Sequence, residues 1–276
     1  MRLDVKKTYK LYINGSFPRS ESGRVFEIKD SRGQFIAHPC LASRKDLRDA
    51  VVAARSASAS WAKSNAYLRG QILYRIAEMA EGRKEQLIAE VMATTKQTKV
   101  AATKSVEEAI DLWVWYAGWS DKLASIYGAT NQVSGPYYNF TIPEPQGVIA
   151  ITADTFVGFI DAIGAALCGG NSVVALVGGA ASVPAMTFAE ILATSDVPAG
   201  VINILTGSLD ELSPWAASHM DIDGLDISAI AAKKRGALIE AAAENLKRVH
   251  AFDHGVTPTR IMSWMEAKTV WHPIGV

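Results

Sequence analysis

The chain reads as an α/β protein built on a doubly wound parallel sheet, and three observations predict it. After Pro145, short apolar runs at 147–152, 172–177, 200–205 and 224–228 alternate with helical stretches. Such alternation implies parallel strands, because each crossover helix must pack back over the strands it joins. Upstream of Pro145 the pattern is mostly helical, and strand-forming residues return at 263–271. The expected whole is a helical amino-terminal part, the parallel sheet and a small antiparallel sheet.

Taken in order, Leu11-Tyr12-Ile13 has strand-forming side chains and stops at Asn14-Gly15, a pair that accepts the positive φ angles of a tight turn. Ser43-Arg44-Lys45-Asp46 offers a helix start, and Leu47, Val51, Val52 and Ala54 follow at helical spacing up to Trp61. Three more helices are expected over 67–82, 84–95 and 104–127. Over 125–145, the breakers Gly128, Asn131 and Gly135 precede Tyr137, Tyr138, Phe140 and Ile142, which predicts a long β-hairpin.

Bulk properties exclude several function classes. With 276 residues, 49% of them hydrophobic, the chain can bury a large core. Lys+Arg and Asp+Glu balance at 28 each, which leaves no field to gather nucleic acid or an anionic membrane surface. Met1-Arg2-Leu3-Asp4-Val5-Lys6-Lys7 has no apolar segment behind its charges, and no later run is long enough to span a bilayer. Cys40 and Cys168 lack metal-ligand spacing, so a reducing cytoplasm is the expected compartment.

Several segments, in their order, resemble the aldehyde dehydrogenase superfamily along nearly the whole chain. Leu11-Tyr12-Ile13-Asn14-Gly15 is similar to its opening strand, and Pro145-Gln146-Gly147-Val148-Ile149 to the entry of its cofactor domain. Gly170-Asn171-Ser172-Val173-Val174 and Val197-Pro198-Ala199-Gly200-Val201-Ile202-Asn203-Ile204-Leu205-Thr206-Gly207 continue the series. Asn245-Leu246-Lys247-Arg248-Val249 resembles the passage into the catalytic domain, and Met265-Glu266-Ala267-Lys268-Thr269-Val270-Trp271 the closing strand. Only 15 residues separate Val249 from Met265, so the resemblance implies that the catalytic domain is missing between them. It also implies a Rossmann-like cofactor-domain unit from 1–124 and 145–256. An oligomerisation hairpin plus C-terminal strand would come from 125–144 and 257–276.

The same resemblance locates functional positions, and five of them differ from the family. The Asn that steadies an oxyanion has no counterpart between Gly147 and Gly170, where Ile151-Thr152-Ala153-Asp154-Thr155-Phe156 stands. Leu176 or Val177 occupies the place of the Lys that holds the adenosine ribose. The Gly-Ser pair of the pyrophosphate loop corresponds to Ala231-Ala232, although Gly236 remains. Phe252 stands where a general-base Glu is expected, and a phenyl ring accepts no proton. The nucleophilic Cys belongs to the absent domain, and neither Cys40 nor Cys168 lies in a similar segment. No catalytic, cofactor-binding or metal residue is therefore expected.

These readings lead to a non-catalytic subunit that docks onto a full-length aldehyde dehydrogenase subunit for assembly, stability or regulation. Docking would use 125–144 and 263–276, where Trp264, Val270, Trp271, Tyr137, Tyr138 and Phe140 suggest an exposed strand edge. Self-association through the same segments is the other form. The alternative is an NAD(P)-binding oxidoreductase component whose weakened dinucleotide site uses Gly207, Gly236, Lys233, Lys234 and Arg235. A solvated basic first turn is the plainer reading of those three cations. Gly169-Gly170 and Gly178-Gly179 are expected as terminators, Glu107, Glu108 and Asp111 as a solvated helix face, and Trp113, Trp115 and Trp119 as core or subunit contacts. His250 and His254 have metal-like spacing, but Gly255 and Pro258 argue against a continuous helix there. Asp154 is a lone acid with no visible partner base.

Overall fold

The computed structural model describes residues 3, 5–30, 32–253 and 255–275. Asn14 and Gly15 both take positive φ, 52° and 72°, so the predicted turn forms where those residue types allow it. The run before it contributes a bridge, Tyr12 exchanging backbone hydrogen bonds of 3.0 and 2.7 Å with Ile204. A two-stranded ribbon, β1 (Ile28–Lys29) and β2 (Phe35–Ala37), follows without a clear sequence signal.

Helices α1 (Arg44–Lys63), α2 (Ala66–Glu81) and α3 (Lys84–Thr95) lie where periodicity predicts them. Ser43 caps α1 in a reciprocal box: its hydroxyl accepts from the Asp46 N–H, and the Asp46 carboxylate accepts from the Ser43 N–H. The helix expected over 104–127 is a correction. Thr98 caps the Ala101 N–H at 3.2 Å, so α4 (Lys99–Trp119) starts earlier, and a tightened turn at Ser120 separates it from α5 (Leu123–Tyr127).

The hairpin is also shorter than expected. Residues 125–127 remain helical, and the first arm is only β3 (Ala129–Asn131), paired with the middle of β4 (Tyr137–Pro145). Gly135 at φ 106° and Pro136, which has no N–H, end the pairing on the loop side.

The remaining strands and α-helices are β5 (Val148–Ala153), α6 (Phe156–Cys168), β6 (Ser172–Val177), α7 (Ser182–Leu192), β7 (Ile202–Thr206) and α8 (Leu209–Ser218). They continue with β8 (Gly224–Asp226), α9 (Ala232–Ala243), β9 (Arg248–His250), α10 (Pro258–Met262) and β10 (Met265–Pro273). The parallel sheet has the order β7-β6-β5-β8-β9. Strand β9 escapes sequence reading because its three residues, Arg248-Val249-His250, hold a single aliphatic side chain and no apolar run.

Alternation sorts the sheet between two cores. Ile149, Ile151, Val173, Ala175 and Ile202 face α4, α6 and α7 with Trp113, Tyr116, Phe159 and Phe188. Val148, Ala150, Val174, Leu176 and Leu205 face α1 and α8 with Leu47, Val51 and Leu212. Both faces are thus covered, which is why these strands read as continuous apolar runs. The second sheet is β10-β4-β3, with β10 and β4 antiparallel over nine residue pairs from Met265↔Pro145 to Pro273↔Tyr137.

Candidate functional site

In an open parallel sheet, ligands favour the crevice beyond the carboxyl ends of the strands, at the point where strand order reverses. Here β5 connects through α6 to β6 on one side, while the chain returns after β7 and α8 to β8 on the other. The crevice between the loops after β5 and β8 is the candidate site. Asp154 and Thr155 rim it from the β5 loop, Ser228 and Ala229 from the β8 loop.

Its interior holds a buried charge cluster built by four elements. Arg260 of α10 donates to Asp161 of α6 and, at 2.7 Å, to Asp226 at the end of β8. Arg260 is 5%, Asp161 5% and Asp226 0% exposed. The Tyr116 hydroxyl of α4 donates to the second Asp161 oxygen, and burial with that neighbouring carboxylate pushes the phenol well above its ordinary pKa. Asp226 also accepts from the Ser228 N–H at 2.8 Å and from the Ser228 hydroxyl. For Arg260, burial lowers the guanidinium pKa, but Asp226 and Asp161 more than offset this, so it stays charged.

Phe252 lines the crevice, and the rings of His250 and Trp264 pack against it. Phe252 lies 4.8 Å from the Arg260 guanidinium and meets Trp264 edge-on at 5.7 Å, while His250 meets Trp264 at 5.0 Å. Burial first, then Arg248, holds the His250 imidazole below its ordinary pKa, with Asp226 opposing. Trp264 is fully buried, so its expected place on an exposed edge is corrected: it packs under β8, where a Cβ on Gly224 would meet its ring at 2.9 Å. The cavity left in the crevice measures about 70 Å³, against roughly 300–1,000 Å³ for ordinary ligand pockets. A larger concavity, about 1040 Å³, is an open groove between α2 and α4 walled by Tyr67, Leu68, Tyr74 and Val114.

The other predicted positions are scattered. Leu176 and Val177 are fully buried, and neither side chain can donate a hydrogen bond. Ala231 caps α9 without a side-chain hydrogen bond, and a Cβ at Gly236 would meet nothing within 4 Å. Lys233 is exposed, Lys234 pairs with Asp210 of α8 at 2.6 Å, and Arg235 folds back onto the Ile230 and Ser228 carbonyls. The basic turn is therefore only partly solvated. Gly207 donates its N–H to the Val177 carbonyl at 3.0 Å.

Cys40 and Cys168 are buried free thiols, and burial pushes the Cys168 thiol up to about 12, far from the thiolate a nucleophile needs. No group of three or more His, Cys, Asp or Glu suited to a metal occurs among the described residues, and His254 lies outside them. No helix among the described residues is long and apolar enough to cross a membrane. Asp154 is exposed at the crevice rim. Trp113 is core, while Trp115 and Trp119 are partly buried and in mutual contact at 5.5 Å.

Sequence reasoning missed Asp161, Asp226, Arg260 and Tyr116 altogether. One signal was present: Asp161 is the single charge in the otherwise apolar helix Phe156–Cys168.

Comparison with known proteins fits this architecture. The chain is 34% identical over 247 residues to Aldehyde dehydrogenase family 2 member B4, mitochondrial, of Arabidopsis thaliana, covering 87% of this chain and 45% of that protein. It is 34% identical over 271 residues to human (Homo sapiens) Retinal dehydrogenase 2, covering 95% and 51%. A putative aldehyde dehydrogenase from Burkholderia cenocepacia superposes with a TM-score of 0.81 at 28% identity, over 87% of this chain and 51% of that one. PnpE in complex with nicotinamide adenine dinucleotide superposes with a TM-score of 0.82 at 23% identity, over 89% and 50%, a likeness of fold. The chain thus spans about half the length of the curated relatives it matches. The profile of the aldehyde dehydrogenase family matches residues 17–270, and with these likenesses it establishes that the chain belongs to that family.

Proposed function

We propose that this chain is a non-catalytic, aldehyde-dehydrogenase-like subunit that docks onto a full-length aldehyde dehydrogenase and serves its assembly, stability or regulation. The observation that carries the reading is the sheet β10-β4-β3. Strand β10 pairs along one side with β4 over nine residues, and no described strand lies on its other side. Trp271 on β10 is 57% exposed, and Tyr138 and Tyr137 on the adjoining β4 are 47% and 43% exposed. A long edge rimmed by aromatics invites either aggregation or a partner strand, and a partner's sheet would satisfy its backbone groups by strand addition.

Chemistry of its own is poorly supported by the residues present. A dinucleotide needs donors for its ribose and backbone amides for its pyrophosphate. Leu176, Val177 and Ala231 supply no side-chain donor there, and the 70 Å³ crevice is far too small for a nicotinamide riboside. Phe252 provides no base, and Cys168 is held as a neutral thiol.

The second reading, an NAD(P)-binding oxidoreductase component with a weakened site, draws on exposed Lys233 near the start of α9 and on PnpE, whose structure is described with nicotinamide adenine dinucleotide. Two measurements separate the readings. Native mass spectrometry of the chain isolated from its source should show a full-length aldehyde dehydrogenase at fixed stoichiometry. A lone monomer or homo-oligomer, with saturable NAD binding at micromolar concentration by calorimetry, would transfer the conclusion to the second reading.

A further inference from the structure

We infer that the switch-point crevice is closed by the chain's own tail: Arg260 and Phe252 act as an intramolecular plug occupying the space in which a ligand would contact the ends of β5 and β8. The inference deepens the part of the proposed function that concerns an absent dinucleotide. It is independent of docking.

Lost side chains alone would leave a crevice empty but open. The structure shows something else. Helix α10, which lies between β9 and β10 in sequence, brings Arg260 to the carboxyl end of β8 at the reversal point, and Phe252 lines the same crevice. There Arg260 bridges two carboxylates from different elements, Asp161 on α6 and Asp226 on β8. A buried guanidinium is tolerated only with such pairing, and a fork of two donors matches two acceptors fixed by the scaffold. Phe252 lies over the guanidinium, and its own N–H donates to the Ser228 hydroxyl at 2.9 Å, tying the plug to the β8 loop. Thr152 lines the same space at 2% exposure and donates to the Asp226 carbonyl at 2.9 Å. The arrangement joins β5, β8, α4, α6 and α10 through one set of hydrogen bonds. Prising the plug out would strand two carboxylates, so the closed form is strongly favoured.

A thiol placed in the crevice reports on closure without any cofactor. Thr152→Cys is nearly isosteric, and alkylation of the introduced thiol by iodoacetamide is read site by site by mass spectrometry. The internal reference is Cys168, which is fully buried elsewhere in the core and reports global unfolding. Two unplugged backgrounds are compared with the parent: Phe252→Ala, which leaves the ion pairs intact, and Arg260→Ala combined with Asp161→Asn and Asp226→Asn, which leaves no charge in the cluster. The ratio of the introduced thiol's rate to the Cys168 rate should be low in the parent and rise at least about tenfold in one or both unplugged chains. The inference is overturned if the introduced thiol reacts in the parent as fast as an exposed one. It is equally overturned if the ratio rises in neither background, whether the chains stay folded or both thiols become reactive together. Failure of NAD to bind belongs to a different measurement, so the two conclusions can fail separately.

Discussion

The two ends of the tail behave oppositely. At α10 the chain turns inward, places a cation between two buried carboxylates and leaves a crevice of about 70 Å³. A few residues later, β10 turns outward and presents nine residues whose second edge has no described neighbour, with Trp271 more than half exposed. In the first region the charged groups are directed at one another within the same chain. In the second, one backbone edge has no described strand beside it and aromatic area stays in solvent. The difference teaches that at the strand ends the charged groups are satisfied within the chain, while the outer edge of β10 is left without a described strand beside it.

The largest effect should come from cutting across the boundary between these regions. A chain ending before Ser263 loses Trp264 and Met265, which are 0% and 6% exposed, as well as the edge strand. Removing a buried Trp costs about 3–5 kcal/mol, so this truncation should abolish cooperative unfolding or lower Tm by many degrees. A chain ending after Met265 keeps the core and loses only the outward strand. It should stay folded by circular dichroism and lose the partner in native mass spectrometry. Equal stability of the two truncations would break the proposed division.

Next in size is the charge cluster. Arg260→Ala leaves Asp161 and Asp226 buried without their cation, an imbalance worth about 3–5 kcal/mol in urea unfolding. Neutralising both acids in the same chain should recover most of that loss. If it does not, the packing of the guanidinium against Phe252 outweighs its charge.

Exposed aromatics on the outward sheet should show the reverse balance. Trp271→Ala removes a ring that meets Tyr137 edge-on at 5.8 Å but lies 57% in solvent. Its cost in stability should stay within about 0.5 kcal/mol, whereas a central aromatic anchor in an interface is worth about 2 kcal/mol or more, roughly thirtyfold in affinity. A pull-down titration against the co-purified dehydrogenase would measure the second quantity. Unchanged affinity would remove Trp271 from the docking surface.

What could be read from the sequence follows the range of the forces involved. The apolar strands β5, β6 and β7 and the capped start of α1 depend on neighbours within a few residues, and they lie close to where the sequence predicts them. The order of segments also carried the family. Misplacements came from tertiary pairing: β9 is a strand only because β8 offers it a ladder, and Trp264 is core only because Gly224 leaves room for its ring. The charge cluster unites residues 99 and 34 positions apart, a separation that no periodicity encodes. Asp161 within an apolar helix was the one legible sign, since a charge in such a place needs a partner.

The smallest effect tests the inward region through pH. His250 is held below its ordinary pKa, first by burial, against Trp264 and near Arg248, so the native state binds its proton less readily than the unfolded chain. Between the depressed native value and about 6.5, the ordinary value, the unfolded chain carries more protons, and stability therefore rises with pH. Acidification below that window removes the contribution. Scanning calorimetry from about pH 7 down to about pH 5 should show Tm falling, and His250→Phe, which keeps a ring against Trp264, should flatten the part of that fall due to this residue. His219, also held low chiefly by burial, lies at the end of α8 and would keep its own share in the variant. An unaltered pH slope in His250→Phe would mean that the ring beside Trp264 is open enough to water to titrate freely. That result would weaken the case for a sealed crevice while leaving the outward sheet untouched, and so would bear on only one side of the contrast.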